Sequence, residues 1–405
     1  MRLFNFNKCF AVGVIFMLSC GGFMLSGQYP SPSCPVYNAT DSTCYQTIQA
    51  AIDAASSGDL IKLYSTTFYE NITIDVSITL EGYHMFSTSI QGDCTEDVVT
   101  ITAAGVTIKS LGILGCGNNN TVYHGIKIES ANNTVVDTMI AECYRGIYTS
   151  GYSGNIIRDN LISTTWDYYE GIIVSGSNNK IYGNTFIRAA TETRVGWAII
   201  ILSASNTDIY QNSIRNHEYA IYVFAASNNN IFANTIEDND YGIYLFSTCE
   251  DNKIHHNNFL DNDIQAYTYY AGTNQWDNGC PSGGNYWDNN TNCTDVSDCN
   301  AQQSPDGICD SSFSIPYDGT ANYDNYPLAA QWSPMCGNVD GSPDYAVNWD
   351  DYYYLIEYLY GDGLNAPVPP CAADMNCTGT LTIADVSILV DHLNNGTPLT
   401  GCCCQ

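Results

Sequence analysis

The residues best placed for chemistry lie near the C-terminus, where Asp374, Asn376, Thr378, Thr380, Thr382 and Asp385 fall at positions 1, 3, 5, 7, 9 and 12 of a loop with Gly379 at position 6. That spacing wraps a short chain segment around a hard cation, with Thr380 contributing its backbone carbonyl, so calcium is the expected cofactor. An earlier copy uses Asn338, Asp340, Ser342, Asp344, Asn348 and Asp351. It reads in two registers: a start at Asp340 puts Tyr345 where glycine is expected, and a start at Asn338 requires an insertion. Thr378 stands where a carboxylate is usual, which lowers the ligand charge and predicts modest calcium affinity.

A second constellation lies upstream. Tyr222 and Phe224, Tyr244 and Phe246, and Tyr267 and Tyr269 recur 22 and 23 residues apart, preceded by Glu218, Asp240 and Asp263 in one column and Asp238 and Asp261 in another. On coils about 4.8 Å apart the six rings would form one flat aromatic face, and such a face beside carboxylates stacks on and hydrogen-bonds to sugars, so a polysaccharide or other glycan is the expected ligand. The competing reading is that the rings cover a sheet or pack on the C-terminal segment while the acids are solvated. Like charges stacked in a column repel unless a cation, a shared proton or water relieves them.

The elements that position these residues are repeats. Ile108, Val135, Ile157, Ile181, Ile209, Ile231 and Ile254 form one apolar column, and Ile113, Ile140, Ile162, Phe186, Ile214, Ile236 and Phe259 a second. Ile126, Ile147, Ile172, Ile199, Ile221 and Ile243 form a third, mostly preceded by Gly or Ala. Columns recurring about every 22 residues between Gly and Asn turns predict an all-β solenoid of stacked parallel strands. Asn160, Asn184, Asn212, Asn234 and Asn257 read as an internal asparagine ladder. Extra residues between the second and third columns, at Cys116 to His124, Ser163 to Glu170 and Arg188 to Trp197, predict overhangs. They would add Trp166, Asp167, Tyr168, Tyr169, Glu170, Glu192 and Arg194 as walls of a groove.

At this point the chain resembles the right-handed parallel β-helix, or pectin-lyase-like, superfamily. Thr47 to Ala55 is similar to its amphipathic capping helix, followed by Gly58-Asp59 and a first strand. Gly283-Gly-Asn-Tyr-Trp-Asp288, Ile315-Pro-Tyr-Asp and Asn325-Tyr-Pro-Leu328 are similar to the end of NosD-type repeat proteins. The resemblance implies a right-handed parallel β-helix over residues 28–332. The two loop-helix units resemble a type I dockerin, which implies a small all-α calcium-binding domain over 333–405 and a cohesin-like protein partner. Trp349, Asp350, Ile383 and Ala384 depart from the Ser or Thr that dockerins commonly use to contact that partner.

No complete catalytic motif appears. A lyase would need a base with a cationic group, for which Arg188 and Arg194 are candidates; a hydrolase would need an acid and a second carboxylate, for which Asp240 with Asp263 or Glu170 are candidates. His217, His255 and His256 read as surface imidazoles beside turns. Three functions remain: glycan binding or surface display, a polysaccharide lyase or glycoside hydrolase, and a structural or adhesion module.

Composition bounds the setting. Lys+Arg 12 against Asp+Glu 42 gives a net charge of −30, which repels nucleic acid. Eighteen Cys fit an oxidising compartment. Arg2 and Lys8 precede a charge-free stretch, Cys9 to Leu25, which reads as a signal peptide over 1–27, with lipidation at Cys20 as the rival. No later stretch is apolar enough to cross a bilayer, so an extracellular or cell-surface protein without a transmembrane span is expected. Cys116 and Cys143 occupy one column on consecutive coils. Coils about 4.8 Å apart lie within the separation that a disulfide requires, so a bond between them is expected, with Cys94 a competitor.

Overall fold

The computed structural model describes residues 31–93, 95–115, 123–164, 169–188, 194–280, 282–296 and 307–332, together with Leu355, 386–390 and Leu393. The described residues form an all-β parallel β-helix of right-handed type with about eight turns. Each turn contributes one short strand to each of three sheets. The first sheet runs from Leu60–Leu63 to Lys253–His255, the second from Thr67–Tyr69 to Tyr286–Trp287, and the third from Ile72–Ile74 to Tyr317–Asp318. Val36–Asn38 pairs antiparallel with Leu60–Leu63 and extends the first sheet at its N-terminal edge. The short helix Ile48–Ala54 closes that end by burying Ile48, Ala51 and Ile52, with Thr47 as its N-cap.

The three apolar columns are the interior. In the first sheet Val135 is paired with both Ile108 and Ile157, and the register continues through Ile181, Ile209 and Ile231 to Ile254. In the second, Ile140 is paired with Ile113 and Ile162, and in the third Ile147 with Ile126 and Ile172. All of these side chains are sealed from solvent. The Gly and Ala that precede the third column make room for rings from the second sheet. A Cβ on Gly171 would stand 3.0 Å from the Phe186 ring, and one on Gly242 3.0 Å from Phe259.

The corners of each turn bury backbone that strands cannot pair, and side-chain ladders satisfy it. The corner residue between the first and second sheets takes a left-handed conformation, as at Asp159 (φ 55), Gly183 (φ 64), Gln211 (φ 55) and Ala233 (φ 56). Next to it stands the asparagine ladder. The Asn184 N–H donates to Asn212 Oδ1 at 3.0 Å; its Nδ2 donates both to that oxygen, at 3.0 Å, and to the Ile157 carbonyl of the coil before, at 2.9 Å. The ladder begins at Thr138, continues through Asn257 and Asn285, and ends on Asp324. Further ladders join Asn133 to Asn155 and Asn179, Thr207 to Asn229, Asn252, Asn274 and Asn322, and His217 to Asn239 and Asn262.

Two expectations are corrected. His217, His255 and His256 are buried rather than surface imidazoles: His217 heads a buried ladder with its N–H on Asn239 Oδ1, and His255, at the end of a first-sheet strand, is covered by the Phe232 ring at 5.4 Å and by His256, whose Nε2 meets the Ser282 carbonyl. Burial pushes the His217 imidazole down to about 4 and His255 to about 2. Cys143 is a free buried thiol rather than a disulfide partner, and Cys116 lies outside the described residues. Its Sγ turns into the core, donating to the Ala141 carbonyl at 3.3 Å, in space left by Gly115 and Gly125. Burial pushes this thiol up to about 12. Disulfides do join Cys34 to Cys44 and Cys293 to Cys309. The signal segment and every calcium-loop residue lie outside the described residues; in the tail, Leu355, 386–390 and Leu393 are helical.

Asn212→Ala removes the acceptor of two buried N–H groups of Asn184. At roughly 1–3 kcal/mol per stranded donor, the loss should be about 2–6 kcal/mol, read by urea unfolding against an exposed control such as Asn289→Ala. The ladder's last member predicts a pH effect. Burial pushes the Asp324 carboxyl up to about 7, aided by nearby Asp277, although the N–H groups of Asn285, Trp287 and Tyr326 pull the other way. Its folded form therefore holds a proton that the unfolded form releases above its ordinary value of 3.8. Its contribution to stability is fullest below about pH 4 and is lost as pH rises to about 7. The difference in melting temperature between the wild type and Asp324→Asn should follow that slope.

Candidate functional site

The outer face of the third sheet gathers the predicted ligand residues. Strands Tyr219–Phe224, Tyr241–Phe246 and Ile264–Tyr269 lie in register, with Tyr244 between Tyr222 and Tyr267, and Phe246 between Phe224 and Tyr269. Alternation along each strand sends these six side chains outward while Ile221, Val223, Ile243 and Leu245 fill the interior. Ring centroids follow the coil spacing: 5.7 Å from Tyr222 to Tyr244, 5.5 Å from Tyr244 to Tyr267, 5.6 Å from Phe224 to Phe246 and 5.2 Å from Phe246 to Tyr269.

The rings do not form one flat face. Interplanar angles of 13°, 22°, 16° and 5° show that they stack upon one another, so their edges rather than their π-faces point outward. The cause is the coil spacing itself, which brings successive rings to stacking distance. Tyr219 and Tyr241 form a further stack, 4.9 Å apart and perpendicular to the Tyr222 column, and Trp197 caps Tyr222 at 5.0 Å. Tyr219, Tyr241 and Trp197 were not among the expected ligand residues, although Tyr219 and Tyr241 recur 22 residues apart. Tyr270 packs edge-on against Tyr269 at 4.5 Å and is 62% exposed, so its plane is open for stacking. Burial pushes the Tyr219 phenol well above its ordinary range and that of Tyr244 up to about 12, so both hydroxyls keep their protons as donors.

The acidic column stands beside the rings, and a cation relieves it. Arg194 ends the longer turn before Trp197 and reaches across two coils. Its guanidinium meets Asp238, Asp240 at 3.0 Å and Asp263 at 3.2 Å. Glu218, on the coil before Asp240, takes no part in that clamp; burial and the Asp240 charge raise its carboxyl above the ordinary range. Asp261 accepts nothing from Arg194; its backbone N–H donates to Asp288 at 2.5 Å.

The other catalytic candidates are dispersed. Glu170 is paired with Arg145 on the preceding coil. Arg188 is buried, donating to the Val195 carbonyl beneath the turn, and does not wall a groove. Tyr169 is also buried, because it turns into the core beside Gly146. Trp166, Asp167, Tyr168 and Glu192 lie outside the described residues. A cluster that sequence reasoning missed lies further back on the same face. Asp97 accepts from the His124 ring at 2.7 Å, His124 stacks on Tyr148 at 5.1 Å, and Lys127 bridges Glu129 at 2.7 Å. A carboxylate on Nδ1 leaves the Nε2 lone pair of an imidazole free to accept a proton. Here Nε2 is sealed from solvent and has no hydrogen-bond partner among the described residues. The spacing of Asp97 and His124, 27 residues, is that of one longer coil, but a single coil gives no repeat to notice.

The model of a family described as periplasmic copper-binding protein (NosD) matches residues 52–292, more than half of the chain. The chain belongs to the NosD family. The copper in that family's description does not fit the residues seen here. Among the described residues no three His, Cys, Asp or Glu side chains gather around a point where a metal ion could sit. His255 and His256 bond to each other through their Nδ1 atoms at 2.6 Å, and their Nε2 atoms are engaged by Asn230 and by the Ser282 carbonyl. No curated protein matches the chain. Solved structures with a similar fold include an alginate lyase from Paenibacillus, at 17% identity over 59% of this chain and 94% of that one (TM-score 0.39). An Azotobacter vinelandii mannuronan C-5 epimerase A-module shows 15% identity over 59% and 87% (TM-score 0.33), and a carrot pectin methylesterase 14% over 61% and 83% (TM-score 0.32).

Arg194→Ala should leave Asp238, Asp240 and Asp263 facing one another without a counter-charge. The variant should melt below the wild type, with millimolar calcium or raised salt recovering part of the difference and having less effect on the wild type.

Proposed function

We propose that this NosD-family β-helix is a glycan-binding protein of a non-cytoplasmic compartment, taking its polysaccharide ligand along the outer face of the third sheet. The observation that carries the reading is the continuous ring network from Trp197 to Tyr270. It lies beside a row of hydrogen-bonding carboxylates on the same coils. A sugar chain offers hydroxyls for the carboxylates and phenols and apolar C–H patches for Tyr270 and the edge of Phe224, which is 37% exposed. Binding is preferred over catalysis because the candidate groups already have partners: Asp240 and Asp263 hold Arg194, and Glu170 holds Arg145.

The setting is supported by disulfides such as Cys34–Cys44 and Cys293–Cys309, which belong to an oxidising compartment. The reading extends to the C-terminal segment, where the loops around Asp374 and Asp340 would take calcium and the dockerin-like unit would attach the β-helix to a cohesin-like protein at the cell surface or outside it. Its support is the ligand spacing in the sequence.

A glycan array probed with the full chain tests the function. Tyr244→Ala, which removes the ring that touches Tyr222 and Tyr267, should weaken any array ligand by about tenfold or more, about 1.4 kcal/mol, with circular dichroism unchanged. Retention of full affinity would place the ligand elsewhere. Calcium removal should lower the melting of the C-terminal segment and leave glycan affinity unchanged, as read by calorimetry with and without chelator.

A further inference from the structure

The acidic row already holds one organic cation, the guanidinium of Arg194, with its nitrogens 3.0 Å from Asp240 and 3.2 Å from Asp263 and in contact with Asp238. The row is thus built at a spacing that takes N–H donors from two successive coils. It is also over-supplied with charge. Glu218, Asp238, Asp240 and Asp263 stand against one guanidinium, and the chain as a whole carries −30. The side chain of Asp263 is 67% exposed and that of Asp238 49%, so both keep lone pairs open to solvent while they hold Arg194. Arg194 itself is mostly covered, with 25% of its side chain exposed. It comes from the turn before Trp197, the ring that caps the Tyr222 stack, so the guanidinium and the aromatic network share one coil.

We infer that this face selects glycans bearing free amino groups, and that Arg194 sets the affinity by occupying the carboxylate row as an intramolecular rival to the sugar ammonium. The inference rests on the glycan-binding reading and specifies its substrate class. A uronate or sulfated chain would bring its anions against at least three uncompensated carboxylates and is disfavoured by their field. A neutral chain gains only hydroxyl hydrogen bonds. An ammonium placed beside Asp263 gains charge-assisted ones, which are about twice as strong as neutral ones. The phenols of Tyr219 and Tyr244, which keep their protons, supply donors for the ring oxygens and hydroxyls of the same sugar. Removing the rival cation frees Asp238, Asp240 and Asp263 together, so the affinity for a cationic ligand rises even as the fold loses an ion pair.

The experiment measures binding of the full chain by calorimetry to three probes of equal length: chitosan oligosaccharides, their fully N-acetylated counterparts, and oligogalacturonate. Each is titrated against the wild type, Arg194→Gln, Asp263→Asn and Tyr244→Ala. The expected result is at least tenfold preference for the free-amine probe over the acetylated one, shrinking with added salt. Arg194→Gln should tighten the free-amine probe several-fold and leave the acetylated probe unchanged, whereas Asp263→Asn should weaken only the free-amine probe. Equal binding of the acetylated probe, or tighter binding of oligogalacturonate, in a manner that Tyr244→Ala abolishes, would overturn the amino-glycan class while leaving the glycan face in place. A free-amine preference that Arg194→Gln does not strengthen would overturn the role of Arg194. Free-amine binding that survives Tyr244→Ala undiminished would show charge attraction without the face and overturn both.

Discussion

A chain that climbs one strand spacing per turn must satisfy, at every corner, backbone groups that face inward and have no neighbouring strand. The buried asparagine ladders meet that constraint. Asn160, Asn184, Asn212, Asn234, Asn257 and Asn285 each spend one oxygen on the coil before and one amide on its carbonyl, so the polar interior is paired along the axis rather than across it. An unpaired buried amide costs more than a made one gains. The ladders therefore penalise any slip of one coil against the next, and everything outside inherits the register they hold.

The outer face shows that inheritance. The same register that stacks Ile221 on Ile243 stacks Tyr222 on Tyr244 and Phe224 on Phe246 one pleat away. Stacking at coil spacing satisfies the rings with one another and turns their edges outward, which makes the surface more polar than its composition suggests. It also brings Asp240 and Asp263 side by side, a repulsion that the fold tolerates because Arg194 spans both. The charge relief and the aromatic network are thus two consequences of one spacing, and both meet on the coil that carries Trp197.

Buried titratable groups mark where the ladder scheme is stretched. Asp324 takes the place of an asparagine where no further ladder member follows among the described residues, and the donors around it come from Asn285, Trp287 and Tyr326. His217 heads another ladder, its backbone N–H on Asn239, in the turn below Arg188. His256 takes the left-handed corner that Asp159 and Gly183 occupy on earlier coils. In each case a residue chosen by position in the coil carries an ionisable group into a setting that disfavours its charge.

The sequence by itself determined the fold and the orientation of its surfaces. Apolar residues at fixed offsets from an asparagine leave one solution once coils stack, so the three columns, the ladder and the outward set from Tyr222 to Tyr269 were all legible. Local repetition is the reason: each coil meets its neighbours through the same offsets, and a period is visible in one dimension. What the tertiary structure alone decided are the contacts that leave the repeat. The direction of the Cys143 thiol depended on space left by Gly115 and Gly125. The burial of Tyr169 and Arg188 depended on how a longer turn folds back, the reach of Arg194 across two coils on a side chain without a counterpart in other coils, and the Asp97–His124 pair on a single juxtaposition. That the rings stand edge-outward was decided by their stacking on one another from coil to coil, which a column of residue types does not record.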